Sequence, residues 1–205
     1  MINIAGEPFI FHQIKQLINQ RITEIFICLG HLGEIVEKYI RQNNNFGITI
    51  HFIYDGKNLL GTGGCIKAMI SKLPENFFIL YGDSYLDINY FDVYNSYVKQ
   101  KKSALLTVFK NKSMWDSSNV EIIDNSIKLY SKSNKNDNME FIDYGLSLVY
   151  FGVFEDYKKN NPFDLSIIFE NLSKRNDLAC FEAKNRFYEI GSKEGIIELD
   201  NTLNK

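Results

Sequence analysis

The sequence predicts an α/β fold, a mixed and mostly parallel sheet flanked by helices, and three observations carry that expectation. Short apolar runs rich in β-branched and aromatic residues alternate with helical repeats between residues 8 and 109. A glycine cluster, Gly61-Thr62-Gly63-Gly64, opens one of the helices, and the apolar run Phe77-Phe78-Ile79-Leu80-Tyr81 ends at Gly82-Asp83. At 205 residues the chain is long enough for one sizeable core, so a single domain over 1–205 is expected.

Pro8 stands where a helix favours its first residue, and Ile10, Ile14, Leu17 and Ile18 recur at helical spacing, which predicts a helix over 8–20. A turn around Arg21 leads into Glu24-Ile25-Phe26-Ile27-Cys28-Leu29, a short apolar run closed by Gly30 and read as a buried strand. Ile35, Val36, Tyr39 and Ile40 line one side of a second helix over 32–42, and residues 47–54 form a second strand. The glycine cluster feeds a helix reaching Lys72, which Pro74 separates from the strand at 77–81. A helix over 90–102 and a strand over 104–109 continue the alternation. After Lys110 the texture changes, with strands expected at 119–123, 126–130 and 146–151 between polar turns. Helices at 153–160 and 164–175, a strand near 178–183 and a helix from 193 follow, and the Asn- and Lys-rich stretch 131–138 reads as a solvated loop.

With 23 basic and 25 acidic residues the net charge is −2, which offers no broad positive field for a nucleic-acid backbone or an anionic membrane. A small polar ligand fits better. Cys28, Cys65 and Cys180 are odd in number and widely spaced, so neither a disulfide framework nor a zinc site is expected. No apolar run approaches the ~18 to 20 residues that span a bilayer, and residues 1–20 lack a basic start followed by an apolar signal core. The expected location is cytoplasmic. His12, His31 and His51 are scattered, with no serine or cysteine nucleophile beside them, and the 12 Tyr and 16 Phe fall at core spacings.

Gly61, Gly63 and Gly64 let backbone approach a flat base or a phosphate closely, and the N–H groups at a helix N-terminus favour anions. Glycines at a strand-to-helix turn serve local geometry at least as often, and neither G-x-x-x-x-G-K-[ST] nor G-x-G-x-x-G is present here. Asp83 is more pointed: a carboxylate at the carboxyl end of an apolar strand lies where open α/β sheets bind ligands, and a hard oxygen there suits Mg2+. Asp87 and Glu189 are candidates for a second ligand, the latter a lone acid in the otherwise apolar run Phe187-Tyr188-Glu189-Ile190-Gly191.

An ordered set of short words runs through the chain: Ala5-Gly6-Glu7-Pro8-Phe9, Leu59-Leu60-Gly61-Thr62-Gly63-Gly64, Leu80-Tyr81-Gly82-Asp83-Ser84-Tyr85, Trp115-Asp116-Ser117-Ser118-Asn119-Val120-Glu121, Tyr130-Ser131-Lys132, Ile142-Asp143-Tyr144-Gly145-Leu146 and Tyr188-Glu189-Ile190-Gly191-Ser192. In order and spacing the set resembles the sugar-1-phosphate nucleotidyltransferases, most closely the branch serving mannose- and heptose-type sugar phosphates. The resemblance implies a Rossmann-like, nucleotide-diphospho-sugar transferase fold, with a nucleotide-binding part over about 1–110 and a sugar-binding part over about 111–205. It implies that Gly61, Thr62, Gly63 and Gly64 hold the nucleobase and that Asp83 and Glu189 hold catalytic Mg2+. Lys132 matches the lysine that reaches the sugar phosphate, while Asn119, Asp143 and Gly145 would line the sugar pocket. Members often carry aspartate where this chain has Glu189.

The chemistry implied is in-line attack of a sugar-1-phosphate oxygen on the α-phosphorus of an NTP, with GTP favoured, expelling pyrophosphate. In the family the triphosphate clamp is a G-x-G-T-R loop after the first strand, followed by Pro-Lys. Met1 to Gly6 match the linker beyond that lysine, so the resemblance implies a fold missing its first central strand here, the place being taken by a residue or two before Gly6, another segment, a partner chain or a second copy in a homo-oligomer, or closed by simple collapse. Two further readings stay open: a non-catalytic module binding a sugar phosphate or NDP-sugar, and a metal-dependent glycosyltransferase, which usually shows Asp-x-Asp where this chain has Asp83-Ser84-Tyr85.

Overall fold

This structure, a computed structural model, describes residues 1–56, 59–114, 116–159 and 161–204; Trp115, which opens one of the matching words, and Asn160, at the end of an expected helix, lie outside them. The strands and α-helices in chain order are β1 (Asn3–Ile4), β2 (Glu7–Pro8), α1 (Phe9–Asn19), β3 (Glu24–Leu29), α2 (Gly33–Gln42), β4 (Thr49–Tyr54), α3 (Gly61–Met69), β5 (Asn76–Leu80), β6 (Ser84–Tyr85), α4 (Tyr90–Gln100), β7 (Ala104–Lys110), β8 (Val120–Ile123), β9 (Ser126–Tyr130), β10 (Phe141–Tyr150), α5 (Ser166–Lys174), β11 (Leu178–Glu182), β12 (Tyr188–Glu189) and α6 (Lys193–Leu203). No helix among the described residues is long and apolar enough to cross a membrane. The three cysteines are free thiols.

The chain divides into two compact units, the first comprising Met1–Leu59, Gly82–Tyr85 and Tyr188–Lys205, the second Leu60–Tyr81 and Leu86–Phe187. In the first, β3 and β4 pair in parallel from Glu24 opposite Thr49 to Leu29 opposite Tyr54, as two strands joined by a helix must. The apolar stripes of α1 and α2 cover this pair through Ile14, Ile40 and Ile50, with Ile10, Ile18, Ile25 and Val36 packed around them. Pro8 stands one residue ahead of α1, extended and paired with Asn3, and the helix starts at Phe9. A second cluster, Ile4, Phe9 and Leu199, packs against Tyr85, Tyr188 and Ile190. Two hydrogen bonds lock it: Gln13 Nε2 donates to the Ser84 carbonyl at 2.9 Å, and the Ala5 N–H donates to Asp200 Oδ1 at 2.7 Å.

The second unit is built on a six-stranded sheet ordered β11-β7-β10-β8-β9, with β5 also paired to β10. β7 is buried from Ala104 to Val108, which is why its sequence reads as a continuous apolar run and not as an alternation. β5 and β7 both run antiparallel to β10, and β11 runs parallel to β7, so β5, β7 and β11 share one direction and β10 is reversed among them. The first residues of β10 lie between β7 and β8, and its last between β7 and β5. The Asn89 side chain accepts from Phe91 N and Asp92 N to cap α4, which turns Tyr90 and Val93 inward. Ile168, Phe169 and Leu172 are the buried stripe of α5.

Three local expectations change. β10 begins at Phe141 and not at 146, because a bulge between Asp143 and Ser147 interrupts the alternation that would have marked it as a strand. Residues 153–160 do not form a helix where described: a short 3-10 turn covers Phe151–Phe154, and the polar stretch after it offers no apolar face to bury. The helix expected to reach Lys72 has the glycines as its first turn but ends at Met69 and passes into a 3-10 turn over Ile70–Lys72.

Candidate functional site

Gly61 to Gly64 meet a segment of the chain that is a hundred residues away in sequence. The Gly63 and Gly64 N–H groups donate to the Phe163 carbonyl at 3.0 and 3.2 Å, and the Phe163 N–H donates to the Leu60 carbonyl at 3.0 Å. Leu165 N–H donates to Thr62 Oγ1 at 2.8 Å. The glycines are required by this approach: a Cβ on Gly63 would stand 2.2 Å from the Phe163 ring, and one on Gly64 2.8 Å from the Asn161 carbonyl oxygen. Gly61 also has φ +71 and would bring a Cβ within 2.7 Å of Phe163 O. Residues 161–165 therefore form a strap across the start of α3, and the N–H groups of Gly63 and Gly64 serve the strap.

Lys132 follows β9 and turns its ammonium to Asp164 of the same strap, 3.3 Å away, and to the Tyr81 ring, 5.7 Å from its centroid. Asp164 Oδ1 also accepts from Ser166 N at 2.8 Å at the start of α5. Burial raises the Asp164 pKa, but the bonds from Ser166 and the Lys132 charge outweigh it and hold the carboxyl below its ordinary range.

Asp143 sits at the bulge of β10. Its partner on β7 is Val108, yet Ser147 is paired with Leu106, so two additional residues are taken up between them. Gly145 carries the kink with φ +95, and its N–H returns to Asp143 Oδ1 at 2.9 Å. The Gly145 carbonyl accepts from Tyr81 N at 3.0 Å, and Thr107 Oγ1 donates to the Leu146 carbonyl at 2.6 Å. Asn119 is buried and uses Oδ1 to accept the Asp143 N–H at 2.9 Å, fixing the carboxylate's backbone. Tyr130 OH donates to Asp143 Oδ2 at 3.4 Å. Burial pushes the Asp143 carboxyl up to about 6 against the lowering effects of Gly145 N–H, Lys132 and Tyr130, and the same burial raises the Tyr130 phenol.

In the first unit, β6 and β12 form a two-residue antiparallel ladder with Glu189 opposite Ser84, and Ile190 N–H donates to the Asp83 carbonyl at 3.0 Å. Glu189 is thus on β12, and Asp83 lies in the turn just before its partner β6, tied to β12 by its carbonyl. Asp83 Oδ1 accepts from Ser84 Oγ at 3.1 Å. Glu189 is more engaged: Oε2 accepts from the Gly191 and Ser192 N–H groups and Oε1 from Ser192 Oγ at 2.6 Å, while Ser192 Oγ accepts the Gly195 N–H as the N-cap of α6. Among the described residues no group of three or more His, Cys, Asp or Glu side chains gathers as a metal cage. A carboxylate has about four lone-pair sites, so Asp83 retains more capacity for a cation than Glu189 does.

The structure brings Asn119, Lys132, Asp143 and Gly145 together in the second unit, beside the strap that binds the Gly61–Gly64 turn, and in the first ties the turn of Asp83 to the strand of Glu189. Phe163 and Asp164 escape sequence reasoning, and Tyr130, though part of a matching word, receives no role from it. Asp164 carries a local signal, that of a capping residue, because it opens the helix expected over 164–175, which in the structure starts at Ser166.

The profile of one protein family, described as Nucleotidyl transferase, matches residues 1–119. The chain belongs to this family. The nucleotidyl transferase match is joined by a D-glycero-alpha-D-manno-heptose 1-phosphate guanylyltransferase of Campylobacter jejuni, 26% identical over 198 residues, covering 95% of this chain and 85% of the relative. A mannose-1-phosphate guanyltransferase of Gibberella zeae is 29% identical over 97 residues, 45% of this chain and 26% of its own. Among solved structures, HddC from Yersinia pseudotuberculosis superposes with a TM-score of 0.83 at 20% identity, covering 99% of this chain and 88% of that one, and has also been solved complexed with GMP-PN. The chain therefore has the nucleotide-diphospho-sugar transferase fold, with a mixed sheet flanked by helices, as expected from its sequence.

Proposed function

We propose that the protein is a sugar-1-phosphate nucleotidyltransferase, converting an NTP and a sugar 1-phosphate to an NDP-sugar and pyrophosphate. The observation that carries the reading is the bulge of β10, which sets the Asp143 carboxylate in the field of Lys132 beside the glycine turn of α3. Lys132 binds the phosphate of the sugar, and Asp143, with Asn119 and the Gly145 backbone supporting it, accepts sugar hydroxyls. Gly61 and Thr62, at the N-terminus of α3, are the members of the turn assigned to the nucleobase, with Gly63 and Gly64 supporting them through the strap.

Asp83 and Glu189 fit a hard divalent cation in donor type and would hold Mg2+, with Asp83 as the less encumbered ligand. Bound there, Mg2+ would supply neutralisation of phosphate charge. The chain's own residues do the positioning: with Lys132 holding the sugar phosphate, one of its oxygens attacks the α-phosphorus, the α–β bridging bond breaks, and the electron pair leaves with pyrophosphate.

GTP and a mannose- or heptose-type 1-phosphate are the proposed substrates, supported by the names of the Campylobacter jejuni and Gibberella zeae relatives. The test is pyrophosphate release from four NTPs against a set of sugar 1-phosphates with Mg2+. The expected result is release with GTP that disappears in Asp83→Ala. Binding of sugar 1-phosphate or NDP-sugar without release would make these 205 residues a binding module instead.

A further inference from the structure

Lys132 is half-exposed and so is its partner Asp164, yet the two are not equally anchored. Asp164 is held from both sides. Its own Oδ1 accepts the Ser166 N–H, the preceding carbonyl takes the Gly63 and Gly64 N–H groups, and the following N–H is bound by Thr62 Oγ1. Lys132 is a point charge on a flexible four-carbon stem, and it comes to the carboxylate. Asp143 also lies within the electrostatic field of this ammonium, so one cation answers two carboxylates. A phosphate arriving at Lys132 has to take the ammonium from a carboxylate already in place.

We propose that Asp164 is a positioning residue that parks Lys132 on the strap, in competition with the sugar phosphate. The proposal rests on the assignment of Lys132 to the sugar phosphate made above. It also gives the strap a role at both ends, since the residue that holds the lysine adjoins the residue that closes the glycine turn.

The test is titration of α-D-mannose 1-phosphate into the 15N-labelled full chain, followed by amide chemical shifts, which read millimolar as well as micromolar Kd values. The variants are Asp164→Asn, which keeps an oxygen for the Ser166 N–H while removing the charge, Lys132→Met, and the double variant. Asp164→Asn is expected to bind about two- to fivefold more tightly than wild type, the range of an exposed ion pair. In the Lys132→Met background the same change is expected to have no effect, because there is no ammonium to release. A gain that persists without Lys132 would mean direct repulsion of the ligand by Asp164 and overturns the proposal. So does Asp164→Asn binding that equals or falls below wild type while Lys132→Met weakens it, a result that leaves the sugar-phosphate assignment standing. Wild-type binding that Lys132→Met leaves unchanged, or no binding to wild type and Asp164→Asn alike, overturns that assignment and this proposal together.

Discussion

Gly63→Ala tests the strap most directly. In the first turn of α3 an alanine gains up to ~1 kcal/mol of helix propensity over glycine. Against that, the new methyl would lie 2.2, 2.5 and 3.0 Å from three Phe163 ring atoms. Relief requires the ring to move by more than an ångström. The ring is stacked on Tyr157, centroids 4.6 Å apart at 18°, and its backbone is tied to Leu60, Gly63 and Gly64. Overpacking of this kind costs ~1–3 kcal/mol, and expelling the ring forfeits ~0.5–1.5 kcal/mol of aromatic pairing besides its burial. The collision outweighs the propensity, and a net loss of about 1–3 kcal/mol is expected in urea unfolding followed by far-UV circular dichroism. In the Phe163→Ala background the obstacle is gone, so Gly63→Ala should be neutral or stabilising, with a coupling of about 2 kcal/mol between the two sites. Equal losses in both backgrounds, or a Gly63→Ala chain as stable as wild type, would show that the ring does not lie on the glycine.

Asp143 provides a pH test: its folded pKa of about 6 lies above its ordinary value, so its contribution to stability is complete below about 4 and is lost as pH rises through 6. Asp143→Asn should therefore gain about 1–2 kcal/mol relative to wild type between pH 5 and pH 7, after allowance for partial solvent screening; a difference in melting temperature that does not change over that window refutes the burial of the charge. Gly145→Ala places a methyl on a backbone at φ +95 and should cost about 1–3 kcal/mol in urea unfolding while weakening sugar-phosphate binding, whereas a wild-type midpoint would deny the bulge. Ser192→Ala removes the acceptor of the Gly195 N–H and a donor to Glu189, and a loss of about 1 kcal/mol in the same assay checks the N-cap of α6.

Much of the fold was determined by the sequence alone, because local periodicity reports local burial. The stripe of α1, the apolar run of β7 and the carboxylate after β5 are all set within ten or so consecutive residues, and the structure keeps them where the pattern puts them; β3, expected as a buried strand, instead pairs only with β4 among the described residues and buries Leu29 alone, with Cys28 exposed, and Ile35 of α2 is half exposed outside the packed stripe. The ordered words also pointed to the family, whose profile matches residues 1–119. What tertiary structure decided involves partners that no local window contains. β6 and β12 are two residues each, too short for an alternation, and exist because residues 83 to 85 find residues 188 to 190. The bulge of β10 hides its strand from a period-two reading while setting Asp143 within the field of Lys132. The glycines after Leu60 announce a close approach but not to what: the occupant, Phe163 with the strap, is brought there by hydrogen bonds spanning 103 residues of sequence, such as that from Leu165 to Thr62. Such bonds depend on the folded path of the chain, and a sequence read in order carries only the residues able to make them.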